Sequence, residues 1–152
     1  MRKSFGLVSF LVLALALVAG LGVTQWQQAR AQETFTVIEH ATTDTVADLG
    51  DKGDSIGDTL TFANDLYDDQ DANVVGSSSG TRWRTKPGKS WECTWTNSLE
   101  DGSIVVQGPF NDAGDSTLAI TGGTGKYNGA TGEMTLHARE GGTEYEFTFT
   151  LN

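Results

Sequence analysis

The sequence has a single cysteine, Cys93, so no internal disulfide can staple the fold, and stability must come from apolar burial. Its two histidines, His40 and His137, do not fall into the Ser-His-Asp or metal-ligand spacings of hydrolases and metal enzymes. Basic residues are scarce: 10 lysines and arginines stand against 20 aspartates and glutamates, a formal net charge of −10. Arg2, Lys3 and Arg30 all precede residue 32 and no acid does, so residues 32–152 carry 7 basic and 20 acidic groups, a net −13. Such a chain repels nucleic acid and anionic lipid, and neither is expected as a partner. The acidity reads as solubility outside the cell rather than calcium binding. Asp68-Asp69-Gln70-Asp71 lacks the spaced ligands and following Glu of a calcium loop, and reads as a solvated turn.

Long apolar runs are missing too, with one exception at residues 5–23. Arg2 and Lys3 precede that run, and a polar stretch ending in Ala29-Arg30-Ala31 follows it. A basic start, an apolar middle and small residues two apart form the pattern of a secretory signal peptide. Residues 1–31 are therefore expected to be removed on export, giving a secreted or extracytoplasmic protein with no stable membrane association after cleavage. The alternative is an uncleaved anchor, since the apolar run is nearly long enough to span a bilayer. Residues 32–152 suffice for one domain with one core.

Sustained helical periodicity is absent after residue 31; what is there reads as strand. Residues 35–40, FTVIEH, are rich in β-branched and aromatic side chains. A long polar connection with three glycines follows over 41–58. Residues 59–64 place Leu60, Phe62 and Asn64 on one face; residues 90–97 set Trp91, Cys93 and Trp95 against Glu92, Thr94 and Thr96. That alternation marks half-buried antiparallel strands. Gly76 and Gly80, four apart within another strand, read as sharp bends or close packing at a barrel corner. Turns are expected at Pro87-Gly88, Asp101-Gly102 and Gly141-Gly142. Seven or eight closely spaced strands imply a sandwich or a closed barrel.

A particular set of strings chooses between them. Val106-Gln107-Gly108-Pro109-Phe110, then Leu118-Ala119-Ile120-Thr121-Gly122-Gly123-Thr124-Gly125, then Gly129-Ala130-Thr131-Gly132 resemble the signature of the allene oxide cyclases. Upstream, Gly57-Asp58, Phe62, Asn64 and Leu66-Tyr67 are similar to another block of that family, and Phe147-Thr148-Phe149-Thr150-Leu151 to its last strand. The resemblance runs in order over residues 35–151, and dirigent proteins share part of it. It implies an all-β fold, an antiparallel eight-stranded β-barrel of allene oxide cyclase-like, calycin/lipocalin-like form. Gly122, Gly123, Gly125, Gly129 and Gly132 then serve tight corners. A phosphate loop is rejected, because Tyr127 follows Lys126 and Ile120 stands where the motif needs glycine.

The resemblance also implies a site: an apolar cavity that folds a small unsaturated substrate, with no metal and no organic cofactor. Asn64 matches a pocket Asn that holds a water against the reacting oxygen. Leu60, Phe62 and Trp91 match apolar or aromatic pocket positions, and Phe110 replaces a pocket Tyr. Arg82 stands where the family has Cys, placing a cation in or near the cavity. The first strand departs from the family, with Val37 in place of its acid and Glu39 in place of its Asn. By alternation Glu39 shares the inward face of Val37. Inside the barrel its carboxyl would have a raised pKa and could donate a proton; at the mouth it would sit in water. His40 should face the other way, and Trp95 reads as ordinary core. The leading expectation is a cofactor-independent barrel that binds an apolar small molecule and steers its cyclisation, isomerisation or coupling, with Glu39 and Asn64 at the reacting centre. A non-catalytic lipocalin-like carrier and a packed, ligand-free structural barrel are the alternatives. The family's assembly implies a homotrimer.

Overall fold

In the computed structural model, the described residues are 32–152, so the expected export segment lies outside them. Nine strands occur among these residues: β1 (Glu33–His40), β2 (Thr45–Ala47), β3 (Thr59–Tyr67), β4 (Val74–Lys86), β5 (Ser90–Leu99), β6 (Gly102–Asn111), β7 (Ser116–Gly123), β8 (Gly132–Arg139) and β9 (Glu144–Leu151). From β3 to β9 each strand pairs antiparallel with the next. β9 then pairs with β1 over its full length, and β1 pairs with β3 through Ile38–Tyr67, Glu39–Leu66 and His40–Asp65. Those last pairs close an eight-stranded barrel, as the resemblance implied. Closure leaves little free edge to invite aggregation, chiefly the outer side of β2 and the first residues of β1.

The ninth strand was not visible in the sequence. β2 pairs with β3 through Thr45–Thr61, Val46–Leu60 and Ala47–Thr59, further along the same edge that β1 uses. β1 and β2 are thus one strand position interrupted at residues 41–44. The rest of the polar connection is anchored by Asp58, whose carboxylate accepts the N–H of Leu49 at 2.8 Å and of Ser55 at 2.9 Å. Those bonds hold its pKa below the usual Asp range.

The pleat decides what fills the barrel. In β3, Leu60, Phe62, Asn64 and Leu66 are buried between exposed Thr61, Ala63 and Asp65. In β5, Trp91, Cys93, Trp95 and Asn97 are buried; in β9, Tyr145, Phe147, Phe149 and Leu151. Ile104, Val106, Leu118, Met134 and Leu136 from β6, β7 and β8 complete one core. Trp95 lies 6.0 Å from Phe62 and 5.7 Å from Phe147, centroid to centroid. This contiguous aromatic centre is the main apolar payload of the fold.

Two glycines let β4 approach β5. A Cβ on Gly80 would lie 2.2 Å from Trp95 Cβ, and one on Gly76 would lie 2.2 Å from the Ser98 carbonyl oxygen. Of the five glycines expected at tight corners, Gly122, Gly125, Gly129 and Gly132 have positive φ. Gly123 does not, but a Cβ there would meet the Ser103 carbonyl at 2.4 Å. The Gly141-Gly142 turn joins β8 to β9 through a short segment, Glu140–Gly142, in which Gly141 takes a left-handed φ of 70°.

Candidate functional site: the polar interior of the barrel

Glu39 is wholly buried at the inner face of β1. Its strand neighbours are Leu66 of β3 and Tyr145 of β9. The Ser78 hydroxyl, from β4, donates to Glu39 Oε1, while Glu39 Oε2 has no partner among the described residues. Burial pushes the carboxyl's pKa above the usual Glu range. The Ser78 hydrogen bond, the Arg82 charge and the Asn64 amide offset part of that rise, and Asp44 adds to it. A raised pKa favours the protonated form of a carboxyl, and that is the form that can donate a proton.

Asn64 lies on the same face and is engaged in another task. Its Oδ1 accepts the N–H groups of Thr42 and Thr43 at 3.1 and 3.0 Å and the Thr43 hydroxyl at 2.9 Å. Its Nδ2 donates to Asp44 Oδ1 at 3.1 Å. The amide therefore ties down the break between β1 and β2. Only the remaining amide hydrogen is left for the interior.

Arg82 enters from β4, two pleats from Ser78, and is 3 % exposed. Its guanidinium carbon sits 4.4 Å from the Phe110 ring centroid, 5.1 Å from Phe62 and 5.5 Å from Tyr145. Aromatic faces thus enclose the cation. Its Nε and Nη2 lack hydrogen-bond partners among the described residues, as do Trp95 Nε1 and Asn97 Oδ1. Beside Arg82, Cys93 is fully buried, and burial lifts its thiol to about 12, so it stays protonated and is no nucleophile.

A cavity of about 440 Å³ opens at one end of the barrel, lined by Phe110, Asn111, Asp112, Leu136, Ala138 and Tyr145, among others. Arg84 braces its rim: its Nη1 reaches both oxygens of Asp112 at 2.7 Å, and its guanidinium lies 3.9 Å from the Trp91 centroid. A larger hollow of about 720 Å³ lies at the opposite end, lined by Phe35, Val37, Val74, Val75, Leu99 and Tyr127 with an acidic edge at Asp68, Asp69 and Asp101. Neither Arg82 nor Glu39 lines either hollow, but two residues of the smaller mouth, Phe110 and Tyr145, turn their rings to the Arg82 guanidinium.

The sequence profile of the family described as allene oxide cyclase matches residues 30–152. The chain belongs to the allene oxide cyclase family. Among solved structures, a pyocyanin demethylase is similar at 27 % identity and a TM-score of 0.70, over 79 % of this chain and 100 % of that one. A pterocarpan synthase dirigent protein is similar at 14 % identity and a TM-score of 0.67, over 80 % of this chain and 95 % of that one. An exo-specific intermolecular Diels-Alderase matches at 16 % identity and a TM-score of 0.64, over 80 % and 98 %. The last two likenesses are of fold alone.

Within this allene oxide cyclase barrel the expected residues fall into three places. Glu39, Asn64, Phe62 and Arg82 gather on adjoining strands in the interior. Phe110 lines the mouth, with Trp91 opposite it in the β5–β6 ladder and Leu60 opposite Arg82 in the β3–β4 ladder. Val37 lines the hollow at the other end. Sequence reasoning did not find Ser78, Tyr145 or Asn97. Tyr145 was within reach, because it is the first inward residue of an alternating aromatic strand. Sequence spacing also showed no metal-ligand cluster, whereas the fold brings His40, Asp71 and Glu144 together on the outer surface, ligand atoms within 4.8 Å of one another. There His40 Nε2 and Asp71 Oδ1 are 2.7 Å apart, and the imidazole stacks on Tyr67.

Proposed function

We propose that the interior of this barrel binds a small, largely apolar molecule and steers its isomerisation, cyclisation or coupling, with Glu39 as the proton donor. The observation that carries the reading is the Glu39 carboxyl: fully buried, held on one oxygen by Ser78, unpartnered on the other, and shifted toward its neutral form. A buried unpartnered carboxyl costs stability, and it is useful where a reacting group needs a proton. The aromatic rings around it supply apolar contact and restrict the ligand's conformations, which lowers the barrier to ring closure or rearrangement. Family membership and the small-molecule chemistry named for the similar structures, demethylation of pyocyanin and the Diels-Alder reaction, support the same reading. It calls on no metal or organic cofactor.

A second reading, a carrier that holds its ligand unchanged, is favoured by Val37, which stands where the family has an acid. Untargeted mass spectrometry of small molecules retained by the purified protein, before and after incubation at neutral pH, separates the two. Retention followed by conversion to an isomer or adduct supports the catalyst, and retention without change supports the carrier. No retained or accepted small molecule refutes both and leaves a packed structural barrel.

Export before action belongs to this proposal and rests on the pattern of residues 1–31. A secreted protein whose intact mass begins near Gln32 is the expected result, and retention in membranes is the contrary one.

A further inference from the structure

Arg82 is a buried cation that makes no ion pair. Among the described residues, none of the ion pairs involves it and its Nε and Nη2 have no hydrogen-bond partner. Contrast Arg84, one inward position further along β4, which is forked onto Asp112 and stacked on Trp91. Leaving a guanidinium out of water is unfavourable unless something compensates. The rings of Phe62, Phe110 and Tyr145 supply cation–π attraction, but they accept no N–H in the plane of the fork. Glu39 feels the Arg82 charge without making an ion pair with it. Two of the three rings, Phe110 and Tyr145, also line the open mouth cavity, edge to face at 5.7 Å.

We propose that this mouth takes a planar conjugated ligand bearing an anionic oxygen, a carboxylate, sulfonate or phenolate, which Arg82 binds through its unpartnered N–H groups while the ring system packs on Phe110 and Tyr145. The proposal rests on the reading of the barrel interior as the small-molecule site and narrows its ligand class. The chemistry favours an oxyanion over a neutral carbonyl, because the guanidinium presents a planar fork matched to paired oxygens. It also gives the acidic protein a reason to hold a cation here. With a net charge of −10, the surface repels small anions, so their selective capture needs one sheltered positive group at the site.

Two fluorescent probes that differ by one group test this: anilinonaphthalene sulfonate and the neutral N-phenylnaphthylamine. Each is titrated into the wild type, Arg82→Met, Arg82→Lys and Ala138→Trp. Met keeps the length and apolar stem of Arg82 without its charge, so the barrel should fold, as thermal unfolding will check. Lys keeps the charge and loses the fork, so the test stands even if Met does not fold. Ala138 is exposed at the rim, and Trp there obstructs the mouth while leaving the core untouched. The wild type should bind the sulfonate about tenfold to a hundredfold more tightly than the neutral probe, the worth of a charge-assisted hydrogen-bonded contact. Arg82→Met should abolish that preference while keeping the neutral probe, Arg82→Lys should retain part of it, and Ala138→Trp should weaken both probes. Binding of the neutral probe with no preference for the sulfonate, or a preference that survives Arg82→Met, overturns the anchor and leaves the small-molecule site standing. Failure of the wild type to bind either probe overturns both.

Discussion

Replacing Gly80 with Ala should destabilise the barrel although it adds one methyl group to an apolar interior. That methyl would lie 2.2 Å from Trp95 Cβ, 2.4 Å from the Thr94 carbonyl oxygen and 2.6 Å from Trp95 Cα. Carbon atoms in contact rest at about 3.5–4.0 Å, so β4 and β5 must separate by more than an ångström, or Trp95 must move. The atoms in the way are backbone and Cβ, which no rotamer change can clear. Trp95 cannot yield sideways either, because Phe62 and Phe147 already flank its ring. Overpacking of this kind costs about 1–3 kcal/mol. For a domain of this size that is a fall in Tm of roughly 4–12 °C, at about 4 °C per kcal/mol. Thermal unfolding followed by near-ultraviolet circular dichroism reads both the stability and the Trp95 environment. Ser79→Ala, on the exposed face next door, is the control and should stay within about 0.5 kcal/mol of the wild type. If Gly80→Ala melts with Ser79→Ala and keeps the native dichroism, the close approach of β4 and β5 is wrong.

Glu39→Gln should stabilise the fold increasingly as pH rises. The folded pKa of Glu39 is raised, so its contribution is fully present below the ordinary carboxyl value of about 4.3 and is lost as pH climbs through the folded pKa. Calorimetry from pH 4 to 8 should show the gap between variant and wild type widening, and a constant gap would contradict the buried carboxyl. Asn64→Ala should cost about 1–3 kcal/mol in urea unfolding, because the N–H groups of Thr42 and Thr43 lose their acceptor; unchanged stability would release Asn64 from its structural task. Light scattering at micromolar concentration should give a trimer, an expectation that rests on family analogy alone, and a monomer would remove it.

The parts of the fold legible in the sequence were those written in a period of two. The alternations around Phe62 and Trp95 named their inward residues correctly, and the glycine pair Gly76 and Gly80 marked where β4 packs closely against β5. Arg82 could be placed in or near the cavity because the ordered family blocks fixed its strand and phase. The contact that Ser78 makes was not legible. Alternation from Arg82 singles it out from Ser77 and Ser79 as the inward serine, but that it meets Glu39 follows only from the pairing of β3 with both β1 and β4. The structural engagement of Asn64 was hidden for a related reason. It depends on the interruption between β1 and β2, which no local propensity of residues 41–44 announces. His40, Asp71 and Glu144 come from three separate segments, so their meeting is a product of barrel closure and turn placement rather than of spacing.

The central claim is that Glu39 delivers a proton to a molecule held in the barrel. Its most direct test is single-turnover conversion of the molecule that co-purifies, compared between wild type and Glu39→Gln with binding measured in parallel. Gln keeps the shape and accepts the Ser78 hydroxyl, so it removes the acid and little else. A loss in rate of about a hundredfold or more with affinity retained is the expected result. Conversion by Glu39→Gln at the wild-type rate would contradict it.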